Sequence, residues 1–171
     1  MRSILTLIIS IAWISTFAQE AVSSKRKSID ADVQKIRNDK TPRPVTFSIQ
    51  ADKKVLHSIS YNYISGADGY VRIKRQFSLN NDSIRQTFYL KKGQLIFANE
   101  QIITYHTGNN KTDSIGWSGD FYFSNGKLIY FETLGHGKSE DESWNPEQNM
   151  LSAFNDSVND ITRHKKKKNG S

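Results

Sequence analysis

Two ten-residue segments of this chain repeat each other and constrain its fold more than any other feature. They are FYLKKGQLIF, which begins at Phe88, and FYFSNGKLIY, which begins 33 residues later at Phe121, and five of ten positions are identical. In each segment, aromatic and aliphatic runs that favour strands flank a pair ending in glycine. Asn125-Gly126 is the preferred pair for a type I′ turn, because both positions need positive φ, and Lys92-Gly93 is expected to act in the same way. The chain therefore contains two β-hairpins.

The second hairpin is predicted to be apolar on both faces. A two-residue turn places Phe123 opposite Leu128 and Phe121 opposite Tyr130 on one face, with Tyr122 on the other. One face can pack on helices. The other face needs a second cover or a ligand, because soluble proteins rarely expose large apolar patches.

Two helices are predicted to flank the strands. Between residues 24 and 38, Ile29, Val33 and Ile36 recur at helical spacing. After the strands, Asn145 suits an N-cap and Pro146 suits the first helical position. The second helix then carries an apolar stripe formed by Met150, Leu151, Phe154, Val158 and Ile161.

Strand-like patterns fill the chain between these helices, from Val45 to about Leu134. Turn residues separate the strands at short intervals, which is typical of an antiparallel meander. The sequence therefore predicts an α+β fold. In this fold, we expect an antiparallel β-meander of about six strands, with the N-terminal and the C-terminal helix packed on one face of the sheet.

The hairpin unit, an aromatic pair followed by NGKL and an apolar strand, resembles the hairpin of MORN-like bacterial repeat proteins. This resemblance covers roughly 40 residues in the two hairpins. The wider layout, with a signal peptide, a short helix, an antiparallel meander and a final helix, is similar to that of uncharacterised small secreted proteins of Gram-negative bacteria. Neither resemblance implies a catalytic residue.

The N-terminus predicts export. Arg2 precedes an apolar run over residues 4–14, and Thr16 and Ala18 occupy the positions that a signal peptidase reads. We expect a signal peptide over residues 1–18, one α+β domain over residues 19–162, and a secreted or periplasmic protein without a transmembrane segment after cleavage. A buried apolar segment and an uncut signal anchor are the alternatives. The chain has no cysteine, so disulfides do not stabilise the domain.

The positive net charge of +7 is concentrated at the C-terminus, where Arg163 is followed by four lysines over residues 165–168. Without Arg2 and these five cations, 18 basic residues face 17 acidic ones. Residues 163–171 are therefore predicted to be a disordered basic tail. Contact of this tail with an acidic surface stays open, and nucleic acid is not an expected partner of an exported protein.

The segment GHGKS, which begins at Gly135, resembles the end of a phosphate-binding loop but lacks the rest of it. That motif needs a glycine at position 132, where the chain has Glu132. The following helix starts too late, and acidic residues 140–142 would repel phosphate. No cofactor is therefore predicted.

Catalytic and metal-binding patterns are also missing from the sequence. His57, His106, His136 and His164 are too scattered for a metal motif, and no nucleophile motif occurs. The leading prediction is a non-enzymatic binding or interaction module. It uses an aromatic sheet face or an edge strand to hold a protein, peptide or glycan of the cell envelope.

The candidate ligand-binding residues are mainly aromatic, because Tyr and Trp offer a broad contact area with a polar tip. They are Tyr61, Tyr63, Tyr89, Trp117, Tyr122 and His136. One alternative function is a small secreted hydrolase whose site is assembled across strands around His57, His106 or His136. Another is a structural protein of the envelope. The oligomeric state is not predicted.

Overall fold

Seven strands form one antiparallel sheet in which each strand pairs with the next strand along the chain. The computed structural model describes residues 2–53, 56–67, 69–79, 82–104 and 114–170, and their side chains except those of residues 2–18, 51–53, 56 and 57. The strands are β1 (Val45–Lys53), β2 (Leu56–Gly66), β3 (Gly69–Leu79), β4 (Asp82–Lys91), β5 (Gln94–Thr104), β6 (Ser114–Ser124) and β7 (Lys127–Gly135). Helix α1 (Arg2–Asn38) precedes them, and a 3₁₀ turn (Lys138–Glu140) and helix α2 (Pro146–Asn169) follow. The predicted α+β meander is confirmed.

Both predicted hairpin turns have the backbone conformation that a type I′ turn requires. The φ angles are 51° at Lys92 and 74° at Gly93, and 52° at Asn125 and 74° at Gly126. Positive φ at both central positions matches the turn to the twist of the flanking strands. The repeated segments are therefore the β4–β5 and β6–β7 hairpins.

The register of the β6–β7 hairpin agrees with the prediction only next to the turn. Phe123 lies opposite Leu128 as expected, but Phe121 lies opposite Phe131 rather than Tyr130. A bulge between Tyr122 and Phe123 shifts the pairing by one residue. A bulge of this kind follows from packing along the whole strand and has no marker in the turn sequence.

The two helices lie on opposite faces of the sheet, so the predicted placement on one face is wrong. Phe121 and Phe123 pack with α2, whereas Tyr122 between them packs with α1. Side chains alternate along a strand, so β4 to β6 carry large apolar residues on both faces. A single helical layer would leave one of those faces in water. We call the two sides of the sheet the α1 face and the α2 face.

Helix α2 covers the larger part of the core and begins as predicted. The Asn145 side chain accepts a hydrogen bond of 3.0 Å from the Gln148 backbone N–H, which is the expected N-cap. Met150 and Ile161 of the predicted stripe are buried against Phe88 and Phe121 of the sheet. This cluster forms the main core of the protein.

Residues 163–169 of the predicted disordered tail are helical, because α2 continues to Asn169. The His164 ring stacks on Phe47 with 3.9 Å between the ring centroids. The Lys165 ammonium lies 5.1 Å from the ring centre of Tyr63 and 4.6 Å from that of Tyr70. These contacts join the last turns of α2 to β1, β2 and β3. The stabilisation that they provide outweighs the tendency of a basic segment to remain solvated.

Helix α1 lies on β4 to β7 through one small apolar cluster and several polar contacts. Ile29 and Val33 are buried against Tyr89 and Tyr122. The Tyr122 hydroxyl donates a 3.0 Å hydrogen bond to Asp30. Burial, and secondarily this hydrogen bond, raise the pKa of Tyr122 to about 12. Among the residues that the structure describes, no helix is both long and apolar enough to cross a membrane.

Candidate functional site

The five aromatic residues predicted to form an exposed binding face are buried. Tyr61, Tyr63 and Trp117 belong to the core beneath α2, and Tyr89 and Tyr122 lie beneath α1. Each is at most 5% exposed. Because α2 covers one face of the sheet and α1 covers β4 to β7 on the other, these aromatic residues pack beneath the helices instead of facing solvent. The open surface of the sheet therefore has a different chemistry from the expected one.

His136, the sixth predicted residue, is on the surface. Its side chain is 96% exposed, and its Nδ1 lies 2.5 Å from a carboxylate oxygen of Glu140. The side chain of His57, and all of His106, lie outside the described residues.

The residues beside His136 complete a buried polar network beneath α2. Lys138 donates to one carboxylate oxygen of Glu100, which is fully buried, and the Gln86 amide donates to the other at 2.5 Å. The Arg75 guanidinium donates in turn to the Gln86 side-chain oxygen. Both oxygens of Glu100 are thus bonded within the protein. We assign this network to the fold, because a satisfied buried carboxylate has no remaining demand for a ligand.

The uncovered part of the α1 face lies on β1, β2 and β3 and on the neighbouring part of β4 and β5. Its orientation follows from the register, because Arg72 pairs with Tyr89, which packs beneath α1. Residues at alternate positions from Arg72 along β3 share that face. Successive cross-strand pairs form a row of polar side chains over six strands, namely Thr46, Asn62, Lys74, Thr87, Asn99 and Asp120.

A groove of about 340 Å³ runs across this uncovered area, and we call it the polar groove. The side chains that line it on the α1 face all end in hydroxyl, amide or cationic groups. These residues are Thr46, Ser60, Asn62, Lys74, Gln76, Arg85, Thr87 and Gln101. The other three lining residues, Tyr61, Arg75 and Gln86, alternate with them in the same strands. The lining residues that the structure describes include no carboxylate.

Some of the polar groups in the groove are already ordered by cross-strand hydrogen bonds. The Asn62 amide donates to the Thr46 hydroxyl at 3.0 Å, and the Gln76 amide donates to the Ser83 hydroxyl at 3.1 Å. Such bonds hold side chains in defined positions and leave further donor and acceptor sites directed at solvent. The groove is thus partly organised without a ligand.

Positive charge collects where the polar groove meets the end of α1. Arg72 lies two residues before Lys74 on the same face, and its Nε is buried without a hydrogen-bond partner among the described residues. Arg37 of α1 donates from its Nε to the Tyr89 hydroxyl at 3.0 Å, beside Arg72. Partial burial lowers the pKa of Lys74, and the charges of Arg72 and Arg37 lower it further. An anion placed here would relieve this repulsion.

Acidic side chains lie at the opposite end of the polar row, on β6 and β7. Asn99 donates a 2.7 Å hydrogen bond to Asp120, which lies opposite Glu132 of β7. Burial raises the pKa of Asp120, and the nearby Glu132 adds to this effect against the hydrogen bond from Asn99. The α1 face of the sheet is therefore polarised, with cations over β3 and β4 and carboxylates over β6 and β7.

The polar groove was missed by reasoning from sequence, although a signal for it exists. Polar residues occupy alternate positions in each of the first four strands, for example Ser60 and Asn62, or Arg85 and Thr87. That alternation indicates a solvated face. Only the register shows that these positions adjoin across strands.

Comparisons with known proteins add no functional assignment to this geometry. The chain matches no protein-family model, no curated protein and no solved structure at a significant level. Within the described residues, no group of three or more histidine and acidic side chains could hold a metal ion.

Proposed function

We propose that this chain is an exported, non-enzymatic binding module that holds an acidic glycan in the polar groove. One observation carries the proposal. The groove ends at a cluster of three cations, Arg37, Arg72 and Lys74. The buried Nε of Arg72 has no hydrogen-bond partner among the residues that the structure describes, and the pKa of Lys74 is lowered. Buried polar groups are normally satisfied, so an unpaired one at a groove is a reason to expect a ligand.

The remaining groups of the groove favour a glycan over a peptide. Hydroxyl and amide side chains such as Thr46, Asn62 and Gln101 can both donate to and accept from sugar hydroxyls. Neighbouring strands repeat such groups at roughly 4.8 Å intervals, which suits a repeating ligand. A peptide would need pockets for apolar side chains. The cations match carboxylate groups, and Arg72 and Arg85 can bind them through two nitrogens.

A triple variant tests the groove directly. Arg72→Gln, Lys74→Gln and Arg85→Gln together should weaken binding of hexagalacturonate, used as the probe, by at least about tenfold, because hydrogen bonds to charged groups contribute about 1.5–3 kcal/mol each. Isothermal titration calorimetry measures the affinity. Binding should also raise the pKa of Lys74, observed by NMR of its side chain, since a bound carboxylate favours the ammonium form.

A matched variant controls for the loss of three positive charges. Lys25, Lys27 and Lys35 are exposed on α1, and their replacement by glutamine should leave the affinity for hexagalacturonate within about twofold. Neutral maltohexaose should bind neither protein measurably. Equal losses in the two triple variants, or equal binding of the neutral sugar by the unmodified chain, would refute a specific site for acidic glycans.

Export is supported by the N-terminal residues alone. Arg2, the apolar run over residues 4–14, and Ala18 form the pattern of a cleavable signal. Cleavage after Ala18 leaves Ile29 and Val33, the residues that hold α1 on the sheet. Mass spectrometry of the protein recovered from producing cells should find Gln19 as the first residue. Recovery of the intact Met1 terminus from the cytoplasm would contradict export.

A further inference from the structure

The last turns of α2 form a second cationic surface, separate from the polar groove. Its basic residues are Arg163, Lys165, Lys166, Lys167 and Lys168, and we call them the basic helix end. All five are exposed. They hold five of the chain's 24 basic residues in a segment of six positions. Because the rest of the chain has nearly balanced charge, the positive field is strongest here.

The basic helix end has a fixed position on the domain. His164 stacks on Phe47 of β1, and Lys165 lies over the rings of Tyr63 and Tyr70. These contacts are on the α2 face. The polar groove is on the α1 face, so the two cationic surfaces point in opposite directions from β1 to β3.

The acidic side chain nearest in the sequence to this surface is Asp160, which accepts a 2.6 Å hydrogen bond from the Tyr61 hydroxyl. Arg163 and Lys166 form no ion pair within the described part of the chain. A cavity of about 690 Å³ lies between this end of α2 and β1, next to the His164–Phe47 contact, and its lining includes Arg163, Lys166 and Asp160.

An exposed apolar residue lies beside these cations. Val45, at the start of β1, is 44% exposed and pairs with Tyr63. The Lys165 ammonium lies over the ring of Tyr63. Apolar groups flanked by lysine and tyrosine are typical of surfaces that meet the headgroup region of a bilayer. The composition of this corner thus differs from that of the polar groove, where amides and hydroxyls dominate.

We propose that the basic helix end binds the surface of an anionic phospholipid bilayer. Clusters of four to eight Lys and Arg are attracted to anionic lipids, with a roughly fivefold gain in affinity for each cation near the surface. Four of the five cations are lysines, which act as mobile point charges and suit a fluid array of phosphates better than one shaped anion. Docked in this way, the chain presents the polar groove away from the membrane.

Co-sedimentation with vesicles tests this assignment. The full chain should bind equimolar phosphatidylglycerol and phosphatidylcholine vesicles, and Lys166→Gln, Lys167→Gln and Lys168→Gln together should weaken that binding by about a hundredfold. The quantity compared is the affinity for anionic vesicles relative to that for purely phosphatidylcholine vesicles. Insertion of the apolar residues 4–14 contributes to both affinities and is thereby subtracted. Raising the salt concentration should reduce binding of the unmodified chain, because salt screens exposed charges.

Two control variants separate this surface from the rest of the molecule. The triple replacement of Lys25, Lys27 and Lys35 removes the same charge from α1, and the groove variant with Arg72, Lys74 and Arg85 replaced removes it from the opposite face. Both should change vesicle binding by less than about threefold. An equal loss in either control overturns the inference. The inference is also overturned if residues 166–168 bind soluble polygalacturonate and do not bind vesicles.

Discussion

Replacement of Lys138 by methionine is expected to lower the free energy of unfolding by about 3 kcal/mol, because it leaves the charge of a buried carboxylate uncompensated. Glu100 is fully buried, and Lys138 supplies its cationic partner from the 3₁₀ turn. The remaining hydrogen bond from Gln86 does not neutralise the carboxylate. Urea denaturation followed by tryptophan fluorescence measures the loss.

Two further variants isolate the cause of this loss. Lys127→Met removes an exposed lysine from β7 and should change stability by less than about 0.5 kcal/mol. Replacing Glu100 and Lys138 together by methionine should recover most of the loss, because apolar residues of similar size can substitute for a buried pair. If the double variant is less stable than Lys138→Met alone, the uncompensated charge is not the cause.

Replacement of Gly135 by alanine is expected to cost about 3 kcal/mol or more, because it combines backbone strain with a steric clash. Gly135 has a φ of 90°, and an added Cβ would lie 2.2 Å from the carbonyl oxygen of Gly116. Neither the oxygen nor the β6 backbone that carries it can move without disturbing the sheet. Thermal unfolding followed by circular dichroism measures the effect.

A second glycine provides the matched control for this substitution. Gly126 in the β6–β7 turn has a φ of 74°, but an added Cβ would find no atom within 4 Å. Gly126→Ala should therefore cost only about 1–2 kcal/mol, the ordinary penalty for a left-handed residue with a Cβ. Equal losses at positions 126 and 135 would show that conformation alone, and not the clash with Gly116, determines the effect.

Both of these large effects lie in the segment GHGKS, which the sequence relates weakly to a phosphate-binding loop. The structure uses it to connect β7 with α2. Gly135 ends β7, Gly137 passes close to the Trp117 ring, and Lys138 reaches Glu100. Gly135 therefore marks the exit from the last strand. The pairing of Lys138 has no marker in this segment, because Glu100 is distant in the sequence.

Local features of this fold were predictable because their causes are local. The turns at Lys92-Gly93 and Asn125-Gly126 depend on residues that tolerate positive φ, and the α2 N-cap depends on Asn145. The apolar stripes of both helices follow from helical periodicity. The hairpins, the helices and the antiparallel meander were therefore determined by the amino-acid sequence itself.

The placement of the helices and the candidate site were decided only by tertiary structure. An apolar strand residue such as Tyr122 shows that a face needs cover, but the cover can be a helix, a ligand or another chain. Likewise, nothing in the sequence distinguishes Arg72, Lys74 and Arg85 from other polar strand residues. Only the pairing of β3 with β4 shows that they lie close together on one face. Sequence patterns report which residues favour burial, whereas the partners of each residue depend on contacts between segments far apart in the chain.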